Sequence, residues 1–292
     1  MSAGSSPRTL LPTRLSRSFW RSLLRRWTTA AGLAILLGVI AMALTAGLVF
    51  PDDPWTMVAK PLLWPGEDAA VPLGSDLLGR NILAGIFYGA RVSLWIGIAA
   101  TVAAIGFGLV VGALAGYYGG LADDLLMRIT EVFQTVPPVI FTIVIVTIMR
   151  PSITTIVIAI ALVSWPAVAR LVRGEFIALR AREFVQAARA IGMSDLRIIA
   201  TQMLPNVLAP IVVYASIMVA SAILTESALS FLGLGDPNVM SWGLMIGAGR
   251  EMLRTSWYIT AIPGAAILLT VLSLNLIGDG LNDALNPKLA QR

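Results

Sequence analysis

The sequence predicts an all-α, polytopic membrane protein with six transmembrane helices and with both termini in the cytoplasm. The first observation is composition: the 292 residues are 57% hydrophobic and 13% charged, whereas soluble domains are about 45–50% apolar and about 25% charged. The second is a set of six long stretches that contain no Asp, Glu, Lys or Arg. The third is the distribution of basic residues between these stretches, which assigns each connecting segment to one side of the membrane.

Each uncharged stretch suits a transmembrane helix, because about 17–25 apolar residues cross the roughly 30 Å hydrocarbon core of a bilayer. The stretches comprise residues 27–51, 92–122, 132–149, 151–169, 198–225 and 255–278. Arg150 and Pro151 separate the third stretch from the fourth, which predicts a hairpin of two helices at this point.

The basic residues predict the orientation of these helices through the positive-inside rule. With a cytoplasmic N-terminus, 15 of the 21 basic residues fall in cytoplasmic segments and 6 fall outside. The predicted segments are a cytoplasmic N-terminal region 1–27, a first transmembrane helix 28–51, an extracytoplasmic loop 52–90, a five-helix core 91–285 and a cytoplasmic tail 286–292. The enrichment of basic residues in cytoplasmic segments thus accounts for the net charge of +5. Nucleic acid is therefore not expected as a partner.

The N-terminal region has the pattern of a helix that lies in the membrane interface. Its apolar side chains fall on one side of a helical wheel and its arginines largely on the other. The apolar set is Leu15, Phe19, Trp20, Leu23 and Trp27. A basic disordered tail is the alternative that this pattern leaves open. The stretch that follows is too long for the apolar part of a signal peptide, which favours an uncleaved signal anchor.

The residue types that are missing exclude most catalytic chemistry. The chain has no Cys and no His, which excludes zinc sites with the usual ligands, thiolate nucleophiles and Ser–His pairs. A phosphate-binding P-loop requires the sequence G-x-x-x-x-G-K-[ST], and neither Lys60 nor Lys288 lies in such a sequence. We therefore predict no metal site and no enzymatic activity for this chain.

The second stretch contains Gly108, Gly112 and Gly116 at strict four-residue spacing. Small residues at this spacing let two helix backbones approach closely in a membrane. The glycines therefore predict a close helix–helix contact, either inside the helix bundle or with a second subunit.

The longest cytoplasmic loop, residues 170–206, is the most distinctive part of the sequence. Residues 173–191 have the composition and apolar spacing of one helix. Gly192 is predicted to end it, Ser194 to cap a second short helix, and Leu204-Pro205-Asn206 to close the loop. A helical hairpin with small residues on one face suits a groove on another protein.

The same loop resembles the EAA loop of ABC importer membrane subunits. The resemblance begins with Gln186-Ala187-Ala188, which is followed after three residues by Gly192. Nine residues further on come Gln202 and then the pair Leu204-Pro205. Gln186 stands where the family pattern has Glu, and Gln202 stands where it has Ile. The nearby acid that could replace the missing charge is Glu183.

Three further segments resemble one branch of these permeases. Residues 73–94 are similar to its LGTDxLGRD…GARxSL segment, and Asp76 and Arg80 within them could pair if the segment is helical. Residues 225–243 are similar to its ExxLSFLGLG…P…WG segment, and residues 278–287 to its GDxLxDxLDP ending. The branch is the dipeptide/oligopeptide (peptide/nickel) permeases, and the subunit type is the second of their two membrane subunits.

The resemblance implies a type I ABC importer (MetI-like) permease fold in a bacterial cell membrane. It implies three protein partners: a homologous second permease subunit, a cytoplasmic ATPase that binds ATP and Mg, and an extracytoplasmic peptide-binding protein. The chain itself is expected to hold no cofactor. The positions expected to couple to the ATPase are Glu183, Gln186, Ala187, Ala188, Arg189, Gly192, Asp195, Leu204 and Pro205. Among them, Ala187, Ala188 and Gly192 are expected to fit the partner's groove.

Glu226 is the acid that lies deepest in a predicted span, and Ser227 and Ser230 follow it. An ionisable side chain at such a position faces a cavity or a partner group. Lining of the substrate pathway and structural pairing inside the bundle both remain open for these three residues.

The cargo is also open at this stage, because related permeases carry short peptides, glutathione-like compounds or nickel. Short peptides are the favoured cargo. An ion-coupled secondary carrier is a second hypothesis, but such carriers show repeated halves and no half-repeat is evident here. A receptor or assembly scaffold, whose loop recruits a signalling protein, is a third.

Overall fold

A computed structural model describes residues 26–285, and over that part the chain forms ten α-helices. They are α1 (Trp27–Val49), α2 (Ile82–Tyr118), α3 (Gly120–Thr135), α4 (Pro138–Met149), α5 (Ile153–Arg180), α6 (Glu183–Ala190), α7 (Asp195–Ile198), α8 (Leu204–Phe231), α9 (Trp242–Gly249) and α10 (Tyr258–Leu285). A π-helical turn, Ile199–Met203, joins α7 to α8. The predicted interfacial helix and the tail 286–292 lie outside the described residues.

The prediction of an all-α polytopic membrane fold is confirmed over the described range. Five helical segments are long and apolar enough to cross a membrane: α1, α2, α5, the run from α7 to α8, and α10. The third predicted span differs from the expectation, because α3 and α4 are bent by 81° and form a sixth span only if they are counted together. The bend lies at Pro137–Pro138, where proline disfavours helical backbone in the preceding residue.

The second span begins ten residues before the uncharged stretch does, at Ile82. Its first turn is capped by the Asn81 side chain, which accepts hydrogen bonds from the backbone of Leu83 and Ala84. Arg91 therefore lies inside α2, where its Nε donates to the carbonyl of Ala43 on α1 at 3.1 Å. The connecting segment is accordingly shorter than the predicted loop 52–90. The uncharged stretch is bounded by Arg91, but the helix itself continues through this residue.

The most extensive helix–helix contact joins α2 to α5, and the predicted glycine row lies within it. A Cβ atom at Gly108 would lie 2.6 Å from Cβ of Val168, and one at Gly116 would lie 2.6 Å from Cβ of Phe176. Gly112 lies against the same helix between them. The partner of this glycine row is therefore another helix of the same chain, and only glycine permits the approach.

The helices cross the bundle alternately, which gives it two distinct ends. An ion pair between Arg26 and Asp283 places the beginning of α1 beside the end of α10. At the other end, Tyr88 donates to the carbonyl of Phe50. We call the end that carries α6 the loop end, and the end that carries residues 50–81 and 232–257 the opposite end.

Candidate functional site

The segment between α5 and α8, residues 181–203, is the candidate site, and its structure corrects the predicted helix 173–191. The transmembrane helix α5 continues to Arg180, and α6 begins at Glu183. Ala181 and Arg182 form a non-helical turn between the two helices. Residue type does not mark this break, because Ala181 and Arg182 are both good helix formers. The turn places Val185 against the bundle, where it is fully buried.

Gly192 ends α6 through its backbone conformation. Its φ of +77° lies in the left-handed region, and its N–H donates to the carbonyl of Arg189 while that of Met193 donates to Ala188. This pair of hydrogen bonds is a Schellman motif, which favours glycine at this position. Gly192 therefore shapes the turn. Ser194 occupies the N-cap position of α7, although its side chain makes no capping hydrogen bond.

The two alanines of the motif point in different directions. Ala187 is exposed, as are Glu183 and Gln186, whereas Ala188 is 6% exposed and packs in the core at the loop end. Of the two alanines expected to enter a groove on a partner, Ala187 is the one that the structure leaves accessible. A helix of two turns that rests on the bundle must bury one face, and Ala188 lies on that face together with Val185.

The pair Leu204-Pro205 does not close the loop, because it lies within a continuous helical run from Asp195 to Phe231. Proline clashes with the carbonyl four residues earlier in an α-helix. Here the preceding turn widens to a π-turn, in which the N–H of Leu204 donates to the carbonyl of Ile199.

The candidate site includes a residue that the sequence analysis missed, Tyr117, near the end of α2. The Tyr117 hydroxyl donates to Oδ1 of Asp195 at 2.6 Å, and the guanidinium of Arg189 lies over its ring, 4.7 Å from the centroid. Arg180 donates to the Tyr117 carbonyl at 3.3 Å. Arg189 and Asp195 therefore hold the 181–203 segment to the bundle. Tyr117 is more than 60 residues away in sequence, and no local pattern marks it.

The outer surface of the 181–203 segment is apolar at its centre. Phe184, Ile191 and Leu196 are 42%, 78% and 77% exposed, and Phe184 and Ile191 lie three residues before and four residues after the exposed Ala187. We call these four residues the exposed loop face. The charged residues Arg182, Glu183 and Arg197, which neighbour members of this face in sequence, are exposed as well. An apolar centre with a charged rim has the composition of a protein–protein contact.

Glu226 and its serines form a buried network between α8 and α9. The Glu226 carboxylate is 1% exposed and accepts hydrogen bonds from Ser230 at 2.8 Å, Ser241 at 2.7 Å and Ser227 at 3.4 Å. A Cβ atom at Gly243 would lie 3.1 Å from the same carboxylate. Of the two roles left open above, this geometry corresponds to structural pairing, because a buried acid is stabilised by such donors.

At the opposite end, Asp76 and Arg80 form an ion pair, but in a turn rather than a helix. Oδ1 of Asp76 accepts the backbone N–H groups of Leu78 and Arg80 at 2.9 Å, and Oδ2 accepts Nε of Arg80 at 2.5 Å. The Arg80 guanidinium also lies 5.0 Å from the ring centroid of Trp55. These groups line a cavity of about 170 Å³ together with α9 residues such as Met245.

Comparison with known proteins identifies the class to which this architecture belongs. Residues 108–291 match the family described as binding-protein-dependent transport system inner membrane component. The chain belongs to this family and is a multi-pass permease of the inner membrane.

Within the family, the chain is similar to permeases of peptide transport systems. It is 39% identical to the di/tripeptide transport system permease protein DppC of Pseudomonas aeruginosa, over 98% of this chain and 96% of the relative. It is 38% identical to the oligopeptide permease protein OppC of Haemophilus influenzae over 93% and 89%. It is also 40% identical to the glutathione permease protein GsiD of Pectobacterium atrosepticum over 94% and 91%.

A solved structure supports the fold independently. The chain is similar to one from the MetNI methionine ABC transporter in an inward-facing conformation, with a TM-score of 0.57 and 17% identity, over 69% of this chain and 96% of the other. The predicted MetI-like type I importer fold is thereby confirmed.

Proposed function

We propose that this chain is one of two membrane subunits of an ATP-driven importer for di- and oligopeptides, and that an ATPase docks on its exposed loop face. The observation that carries the proposal is that face itself, an apolar surface at one end of a transmembrane bundle, framed by the EAA-like motif. The proposed partners are a homologous second permease, one or two ATPase chains with ATP and Mg, and an extracytoplasmic binding protein.

The orientation we propose places the loop end in the cytoplasm. Arginines support this assignment, because α5 and the 181–203 segment together carry Arg170, Arg173, Arg180, Arg182, Arg189 and Arg197. Cytoplasmic segments near membrane helices are enriched in Lys and Arg. The ion pair of Arg26 with Asp283 supports placing the start of α1 and the end of α10 on one side of the membrane.

The exposed loop face suits docking for a physical reason. Leu196 and Ile191 are more than three-quarters exposed, and their burial by a partner would remove apolar surface from water at about 25 cal/mol per Å². The small side chain of Ala187 allows a partner to approach α6 closely. α6 packs against the bundle through its own residues Val185 and Ala188, which are buried in the core. A partner that moves the exposed loop face would therefore also move the helices that α6 contacts.

Peptides are the cargo that the relatives favour, since two of the three relatives named above are peptide permeases. The glutathione permease is the observation that favours a second candidate, because glutathione is itself a modified tripeptide. Nickel has less support: within residues 26–285, no group of three or more His, Cys, Asp or Glu side chains is arranged to hold a metal ion. An ion-coupled secondary carrier is the least supported alternative.

The proposal is tested with the full complex, co-expressed with its partner subunits from the same genome and reconstituted in liposomes. We expect ATP-dependent uptake of tritiated alanyl-alanine that requires the binding protein, with reduced glutathione and Ni²⁺ as competing cargoes. Uptake that continues without ATP and collapses with the ion gradient would contradict it.

Docking is tested by a matched pair of variants. Leu196→Asp places a charge in the exposed loop face, and we expect it to remove the ATPase from the purified complex. Leu253→Asp is the control, since Leu253 is 51% exposed at the opposite end. Equal retention of the ATPase by both variants would contradict docking at the loop end.

A further inference from the structure

Four structural elements meet at the side chain and backbone of Tyr117. The residue belongs to the end of α2 and is 2% exposed. Its hydroxyl binds Asp195 at the start of α7, its ring lies beneath Arg189 near the end of α6, and its carbonyl binds Arg180 at the end of α5. A hydrogen bond from a phenol to a carboxylate at 2.6 Å is short and charge-assisted. The 181–203 segment is therefore joined to α2 at this residue.

Tyr117 is two residues from a break in the helical backbone. Gly119 and Gly120 have φ values of +67° and +55°, a conformation that residues with a Cβ atom rarely adopt. A Cβ at Gly119 would lie 2.6 Å from the Arg180 guanidinium, whereas one at Gly120 would meet nothing within 4 Å. These glycines separate α2 from α3 and give the chain a hinge directly beside the Tyr117 contacts.

Beyond the hinge, α3 and α4 form an arm with few fully buried residues, and α3 packs on the bundle through the partly buried Leu126, Met127 and Phe133. Of the sixteen residues of α3, all of which the structure describes, Thr130 alone is buried. In α4 the buried residues are Thr142 and Val146. The main polar tether of α3 is a two-bond contact from Arg173 on α5 to Asp123, at 2.5 and 2.7 Å. Segments with so few buried contacts are the ones that move at low free energy.

We infer that Tyr117 transmits movement of the 181–203 segment to the α3–α4 arm through the Gly119–Gly120 hinge. The inference rests on the proposed function, in which an ATPase displaces the exposed loop face. When the ATPase shifts α6 and α7, Arg189 and Asp195 pull on Tyr117, and the end of α2 changes its angle to α3. Tyr117 is thus a positioning residue that acts through its neighbours, buried beneath the surface that the ATPase contacts.

The first test compares single hydroxyl deletions in the reconstituted complex. Tyr117→Phe keeps the ring beneath Arg189 and removes only the bond to Asp195. Tyr118→Phe is the matched control, because Tyr118 is the next residue and is 53% exposed. We expect Tyr117→Phe to retain the ATPase but to import about tenfold less alanyl-alanine per ATP hydrolysed, within the range of measured couplings between sites. Tyr118→Phe should match the wild type.

Asp195 variants test whether the hydrogen bond itself carries the effect. Asp195→Ala should lower uptake per ATP as Tyr117→Phe does, and the double variant should be no worse than either single one. Asp195→Asn keeps an oxygen that accepts from the Tyr117 hydroxyl and should restore most of the uptake per ATP. Additive losses in the double variant, or an Asn variant as defective as the Ala variant, would overturn the inference.

The movement can be measured directly because the chain has no cysteine. Spin labels are placed at Val132 on α3 and Ile177 on α5, which are 65% and 39% exposed, with partner cysteines replaced. We expect ATP binding to shift the distance distribution in the wild type and to leave it unshifted in Tyr117→Phe. An equal shift in both would overturn the inference, as would loss of the ATPase from the Tyr117→Phe complex.

These outcomes separate the inference from the proposed function. If the wild type shows no ATP-dependent uptake and no ATP-dependent distance change, the proposed function fails. If the wild type transports and Tyr117→Phe behaves identically, only the role of Tyr117 fails.

Discussion

The α2–α5 pair and the α3–α4 arm lie side by side in one chain but are held together in opposite ways. In the first, glycines bring two helix backbones so close that a single added carbon would overlap the neighbouring helix. In the second, the helices pack on the bundle through partly buried side chains such as Phe133, while other apolar side chains remain exposed, including Leu121, which is 89% exposed. Composition differs as well, since α3 carries the charged residues Asp123, Asp124, Arg128 and Glu131.

We expect close packing to determine which part of this permease is rigid. Between membrane helices, close van der Waals contact provides much of the association energy, because lipid tails are as apolar as the side chains they replace. The α2–α5 pair therefore serves as the frame, and the arm is the part that can move against it. The Glu226 network adds to the frame by joining α8 to α9.

The largest effect is expected from a side chain placed inside the frame. A Cβ at Gly112 would lie 2.8 Å from Cβ of Val172, so Gly112→Val should destabilise the protein by about 3 kcal/mol, the upper part of the range for overpacking. Gly106→Val is the control on the same helix, because a Cβ at Gly106 meets nothing within 4 Å. Thermal unfolding in detergent measures both, and equal melting temperatures would show that the frame is not closely packed.

The next effect is expected at the buried acid of the frame. Glu226→Leu removes the acceptor of Ser230 and Ser241 and should destabilise the protein by about 2 kcal/mol, as leaving buried donors unpaired does. Glu226→Gln keeps an accepting oxygen and should lose less than about 1 kcal/mol. Thermal unfolding again provides the measurement. Lost uptake with unchanged stability in the Gln variant would instead indicate a role in the substrate pathway.

A smaller effect is expected where the arm is tethered to the frame. Arg173→Ala removes the contact with Asp123, and because the Arg173 side chain is 36% exposed, the loss should be at most about 1 kcal/mol. Hydrogen exchange should nevertheless quicken in α3 while remaining unchanged in α2. Equal quickening in both helices would mean that arm and frame are one unit.

The smallest effect is expected on the outside of the arm. Leu121→Gln should change the stability of the isolated chain by less than about 0.5 kcal/mol, as exposed substitutions commonly do. Thermal unfolding checks this value. A larger loss would show that Leu121 packs within the chain itself.

Much of the fold was predictable because membrane helices are defined by the charges that bound them. That rule located both ends of α1 to within two residues and the starts of α5 and α10 to within three, whereas α8 begins and ends six residues after the predicted stretch 198–225. The charged extensions of α5 and α10 lay beyond its reach. It failed at Arg91, which a helix can carry at its interface end, and at Pro137–Pro138, where a double proline within an uncharged stretch breaks the helix.

The candidate site was predictable in its position but not in its contacts. The motif located α6 and Gly192, since a helix stop and a left-handed turn leave a local signature. Which alanine faces the bundle depends on how α6 rests on it. Likewise the pairing of Tyr117 with Asp195 joins residues 78 positions apart, and only the tertiary structure brings them together.

Docking of an ATPase on the exposed loop face can be measured directly at the two neighbouring alanines of α6. In a chain without cysteine, Ala187→Cys and Ala188→Cys are each paired with cysteines on the ATPase surface and treated with an oxidant in the assembled complex. If an ATPase docks on the exposed loop face, Ala187→Cys forms a disulfide with the ATPase and Ala188→Cys does not. Cross-linking through Ala188→Cys, or through neither position, would contradict docking of the ATPase on the exposed loop face.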